Sequence, residues 1–70
     1  MINQFIKINP TLGGSKWINV DNIVAIEEDK SGGKIKIITN AKRDDHPVSY
    51  TVKTSVEDFL SAIGCTGVVL

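Results

Sequence analysis

The chain has 70 residues, of which 41% are hydrophobic and 23% charged, with eight Lys and Arg side chains against eight Asp and Glu. A chain this short forms one small domain with a marginal core, and a formal net charge of zero argues against a strongly cationic nucleic-acid or membrane binder. The single cysteine, Cys65, excludes an internal disulfide, and with one histidine it cannot complete a zinc site of four protein ligands. We therefore expect no cofactor, and we expect self-association to support the small core.

The N-terminal sequence MINQFIKINP lacks a basic segment followed by a long apolar run. Nowhere does the chain contain about 18 consecutive apolar residues, the length that a membrane-spanning helix needs. These features predict a soluble cytoplasmic protein that makes no membrane contact, and the unpaired cysteine fits a reducing compartment.

Apolar and polar residues alternate with period two through most of the first fifty residues, which predicts half-buried β-strands. Glycine, proline, aspartate and asparagine separate the alternating runs and predict turns between them. The predicted strands span residues 2–9, 16–20, 23–29, 34–39 and 48–53.

The third and fourth predicted strands flank the sequence KSGG, which predicts a hairpin with a two- or four-residue loop. One register pairs opposite charges on one face and aliphatic residues on the other, at about 0.2–1 kcal/mol per favourable pair. It sets Asp29 opposite Lys34, Glu27 opposite Lys36, Ile26 opposite Ile37 and Val24 opposite Thr39.

The period then changes to the i, i+3, i+4, i+7 spacing of an amphipathic helix, which predicts a helix over residues 55–63. Thr54 or Ser55 is suited to its N-cap and Gly64 to its C-cap. Residues 64–70 form an apolar tail that is either a sixth edge strand or a segment ordered only by a partner. The predicted fold is β-rich α+β: a twisted five-stranded antiparallel meander, open or curled towards a half-barrel, with one short C-terminal helix in a single domain of residues 1–70.

Four motifs follow one another from Trp17 to Ile63. They are a turn with asparagines between apolar residues in WINVDNIVAIEED, a hairpin, a second turn at TN, and the segment YTVKTSVEDFLSAI. This order resembles the FlbD family of flagellar and swarming motility proteins. The chain departs from that family at NAKRDDHPVS, where relatives close the hairpin with a tight NGK turn. The resemblance implies a small regulatory or structural accessory protein and transfers no catalytic residue. LytTR-type DNA-binding domains have a similar order of strands and helix along the chain.

Residues 42–46, KRDDH, hold the only histidine between two predicted strands. Adjacent side chains do not normally converge on one metal ion, and the two aspartates offset the neighbouring bases locally. We interpret the segment as a solvated loop without a metal, with nucleic-acid contact as the alternative. Cys65 has no visible base or orienting partner, so we predict no catalytic residue and no enzyme.

Strand alternation places three large apolar side chains on outward faces: Phe5, Trp17 and Ile38. They form an interface if they cluster, whereas a sheet that curls enough would bury both of its faces. We therefore predict a non-enzymatic interaction or accessory regulatory module, which contacts itself or a protein partner through this face or an exposed edge strand. The alternative is a nucleic-acid-binding transcriptional or post-transcriptional regulator that uses Lys34, Lys36, Lys42 and Arg43.

Overall fold

A computed structural model describes residues 4–70, which contain five strands and one short α-helix. The elements are β1 (Phe5–Ile8), β2 (Lys16–Asn19), β3 (Ile23–Glu28), β4 (Ile35–Arg43), β5 (His46–Val52) and α1 (Val56–Ala62). All strand pairs are antiparallel, and the helix follows the last strand. The predicted β-rich α+β class is confirmed. Residues 2 and 3 of the first predicted strand lie outside the described residues.

The five strands are distributed over two sheets, β1–β2 and β3–β4–β5, which do not close into a barrel. A short 3-10 helix, Val20–Asn22, separates the sheets, and the Asn19 side chain caps it by accepting a hydrogen bond from the Asp21 backbone N–H at 3.0 Å. The sheets meet again at a bridge between Pro10 and Val52. The backbone N–H of Thr11 donates to the carbonyl of Thr51 beside this bridge, at 2.9 Å.

The predicted register of β3 and β4 is confirmed over most of the hairpin. Ile26 lies opposite Ile37, Glu27 opposite Lys36, and the Asp29 N–H donates to the Lys34 carbonyl at 3.1 Å across a loop of residues 30–33. Near the start of β3 the prediction is wrong, because a β-bulge places Ile23 instead of Val24 opposite Thr39. The extra residue of the bulge, Val24, is 62% exposed.

The segment predicted as a solvated loop is instead the tip of the β4–β5 hairpin. Lys42 pairs with Pro47 and Arg43 with His46, so only Asp44 and Asp45 form the turn. Both aspartates have positive φ, 53° and 67°, as a type I′ turn requires at its two central residues. The side chains of this tip are exposed, as a loop's would be, but its backbone is held in a sheet.

The core brings together residues from both sheets and the helix. Its buried members are Ile8, Ile18, Ile35, Ile37, Phe59 and Ile63. Helix α1 docks through its apolar stripe, and the Ser55 hydroxyl caps its N-terminus by accepting from the Asp58 N–H at 3.1 Å. Residues 65–70 form neither helix nor strand, so the sixth strand considered for the tail is not present in the isolated chain.

Candidate interaction surfaces

The outward face of the β1–β2 sheet carries two exposed aromatic side chains. Pairing of Phe5 with Asn19 and of Lys7 with Trp17 places these four residues on one face, while Ile8 and Ile18 enter the core from the other. Phe5 is 56% exposed and Trp17 is 67% exposed. A sheet of only two strands covers the core with one face and leaves the other to solvent.

Phe5 and Trp17 are diagonal neighbours across the strand pair, close enough for aromatic side chains to approach each other. They line one shallow groove of about 340 Å³ together with Asn22, Ala41 and Tyr50. We call Phe5, Trp17 and this groove the aromatic face. Sequence reasoning missed Ala41 and Tyr50, because only the packing of one sheet against the other brings them to β1 and β2.

The third predicted interface residue, Ile38, is not among the residues that line this groove. It lies between the buried residues Ile37 and Thr39, so it points to the outer side of the three-stranded sheet, opposite Ala25 and Ser49. There it is half-buried. The structure thus brings Phe5 and Trp17 together and places Ile38 on a different surface.

A second and larger groove runs between β3 and α1. It has a volume of about 800 Å³ and is bounded by residues 23–26 and Glu28 of β3, by one side of the helix and by residues 65–69 of the tail. We call it the β3–α1 groove. Sequence reasoning did not identify it. A signal was available in the run IVAI at 23–26, because four consecutive apolar residues cannot all face one side of a strand.

The four basic residues considered for nucleic-acid contact do not form one patch. Lys34 and Lys36 lie near one end of β4, where a shallow depression also contains Glu27, Glu28 and Asp29. Lys42 and Arg43 lie at the hairpin tip beside the two turn aspartates. The β5 partners of Lys36 and Lys42 are Thr51 and Pro47, four residues apart, so about 13 Å of strand separates the two lysines.

The residues considered for catalysis lie on different elements. Cys65 is exposed three residues after the end of α1, where its N–H donates to the Leu60 carbonyl at 2.8 Å, and His46 begins β5. Within residues 4–70, no three His, Cys, Asp or Glu side chains come together as a possible metal site. No helix in this part of the chain is long and apolar enough to cross a membrane.

Comparison with known proteins returned no match among family models, curated proteins or solved structures. The resemblance to the FlbD family therefore remains a prediction from the motif order.

Proposed function

We propose that this protein is a non-enzymatic interaction module whose copies associate with one another through the aromatic face. The observation that supports the proposal is the exposure of two neighbouring aromatic side chains, Phe5 and Trp17, along one groove. Aromatic side chains dominate the energetics of protein interfaces, because each buries a large rigid area at small entropic cost.

Two further properties favour self-association over an isolated monomer. A chain of 70 residues has a small core, so an interface between copies adds apolar burial that the single chain lacks. The formal net charge of zero means that copies do not repel one another at long range. The aromatic face is small, so we expect weak association, with a dissociation constant on the order of micromolar.

The motif order that resembles the FlbD family adds a cellular context to this proposal. We propose an accessory regulatory role in a bacterial cytoplasm, exerted through protein contacts and without catalysis. The interaction proposal depends on the aromatic face and does not require a flagellar role.

Replacing Trp17 by Ser should weaken self-association at least about tenfold, because truncation of a central aromatic residue commonly removes more than 1.4 kcal/mol of binding energy. The measurement is sedimentation velocity over a concentration series. The matched control is Val24→Ser, which changes a similarly exposed apolar residue of the β3–α1 groove and should leave self-association unchanged. Both residues are largely exposed, so both variants should keep the parent's circular dichroism spectrum.

A parent protein that stays monomeric at every concentration would contradict the proposal, as would unchanged association of Trp17→Ser. The alternative function has a separate signature, since Lys42 and Arg43 are exposed at the hairpin tip. Binding of DNA or RNA that weakens steeply with added salt, and that is lost in the Lys36→Glu, Lys42→Glu variant, would favour the nucleic-acid regulator instead.

A further inference from the structure

Strand β3 has one free edge, and that edge borders the β3–α1 groove. Among the described strands β3 pairs only with β4. The groove floor consists of half-buried apolar side chains packed against the core: Ile23, Ile26, Val56 and Leu60. The volume of about 800 Å³ lies within the range of ligand-binding clefts. A free strand edge above an apolar floor is the arrangement that accepts an extended peptide as an added strand.

The hydrogen-bond pattern shows which backbone groups face the free edge. Asp29 donates to Lys34, and in an antiparallel pair the residues bonded to the partner strand alternate with residues that are not. Glu27 therefore bonds to β4, whereas the N–H and C=O groups of Ile26 and Glu28 point away from it. Within residues 4–70, no backbone hydrogen bond joins the tail to β3, so the tail does not use these groups.

The charge of the groove selects the class of partner. Of the described residues that line it, the charged ones are Glu28 and Glu57. The β3 strand of a second copy carries two glutamates and no Lys or Arg, so it would add acidic groups at this edge and complement none, which disfavours self-pairing. We call Glu28 and Glu57 the acidic rim of the groove. A segment that carries Lys or Arg beside its apolar residues would complement both this rim and the apolar floor.

We propose that the β3–α1 groove binds an extended segment of another protein as a strand added to β3. The segment has apolar side chains at alternate positions, which contact the floor, and flanking Lys or Arg, which contact Glu28 and Glu57. The proposal goes beyond the self-association proposed above, because it concerns a different partner and a different surface from the aromatic face.

The tail supplies the outer wall of this groove. Gly67 lies against the helix so closely that an added Cβ atom would be 3.0 Å from the Leu60 Cδ1 atom. The next residues, Val68 and Val69, line the groove yet are mostly exposed. An added strand would cover part of this exposed apolar surface.

The probe is a short synthetic peptide with valine at alternate positions, threonine between them and lysine at both ends. Binding to the full chain is measured by fluorescence anisotropy and located by backbone amide shifts in NMR. We expect saturable binding with shifts concentrated in Ile23–Glu28 and α1. A peptide of the same sequence, N-methylated at the alternate amides that would face β3, should bind at least about tenfold more weakly, because it cannot donate the hydrogen bonds of an added strand.

Two variants test the edge and the rim. Glu28→Pro removes a free-edge donor that the β3–β4 ladder does not use, and Glu28→Lys with Glu57→Lys reverses the rim charge. Each variant should bind the lysine peptide about tenfold more weakly than the parent does, and the charge-reversed variant should prefer a peptide with glutamate at both ends. The matched control is Glu27→Gln, which changes a neighbouring acid that faces Lys36 outside the groove and should have no effect.

Absence of binding, equal affinity for the lysine and glutamate peptides, or full binding of the N-methylated peptide would each overturn the proposal. Amide shifts centred on Trp17 would overturn it as well. The Trp17→Ser variant separates the two proposals, because it should bind the lysine peptide like the parent. A chain that binds the peptide but never self-associates contradicts the aromatic-face proposal alone.

Discussion

At the scale of single residues, Thr39 holds together the irregular part of the β4–β5 pair. The register shifts between Ile38 and Lys42, and the Thr39 hydroxyl donates to the Val48 carbonyl at 2.8 Å and accepts from the Ala41 N–H at 3.3 Å. Its side chain is only 5% exposed. Replacing Thr39 by Val should lower the free energy of unfolding by about 1–3 kcal/mol, because two backbone groups lose their partner. Urea unfolding followed by circular dichroism measures this change.

The control is Thr39→Ser, which keeps the hydroxyl and removes one methyl group. It should cost only about 0.8 kcal/mol of apolar burial. Equal stabilities for the Val variant and the parent would show that the hydroxyl does not support the bulge. This role was not predictable from the sequence, since threonine is an ordinary strand residue and its partners exist only where the register shifts.

At the scale of elements, the β4–β5 hairpin tip contains a turn of two residues with positive φ, both of them aspartate. Asparagine followed by glycine is the preferred pair for such a turn, because glycine adopts positive φ without steric cost. Asp44→Asn with Asp45→Gly should therefore raise the free energy of unfolding by about 0.5–1 kcal/mol. Urea unfolding of the double variant provides the measurement.

Asp45→Val is the opposing control and should lower stability, because a β-branched residue is strained at positive φ. An unchanged or lower stability of the Asn-Gly variant would argue against this turn geometry.

The hairpin tip also shows why one element was predicted incorrectly. Residues 40–47 are exposed on both faces, so nothing in the tip requires one face to be apolar and the alternating pattern that predicts a strand is absent. The β3–β4 hairpin was predicted correctly because one of its faces is buried and opposite charges pair on the other.

At the scale of the whole molecule, stability depends on a few isoleucines at the centre of β4. The Ile37 side chain is 0% exposed and lies in a core that both sheets and the helix share. Ile37→Ala should lower the free energy of unfolding by about 2–5 kcal/mol, a large part of what a small domain has. Thermal unfolding should show a strongly lowered Tm or no cooperative transition.

The neighbouring residue Ile38 provides the comparison, since it is half-buried on the outer face of the same strand. Ile38→Ala should lower the Tm much less than Ile37→Ala does. Equal losses would show that the burial difference does not determine stability here.

The fold class, the helix and most of one register followed from periodicity and charge, which act between residues near in sequence. The division into two sheets and the two grooves did not, because they depend on how distant segments pack together. Phe5 and Trp17 were predicted to face outward, but their groove is completed by Ala41 and Tyr50. The β3–α1 groove likewise lies between a strand and a helix that β4 and β5 separate in the sequence.

Each strand pair in the two sheets joins strands that are neighbours in the chain, and the bridge between Pro10 and Val52 connects distant segments. Forming a hairpin closes only a short loop, whereas forming that bridge closes a long one at greater entropic cost. We therefore expect the hairpins to form early in folding and the sheets to join late. On unfolding, the order reverses: the seam between the sheets opens first, before the hairpins themselves come apart.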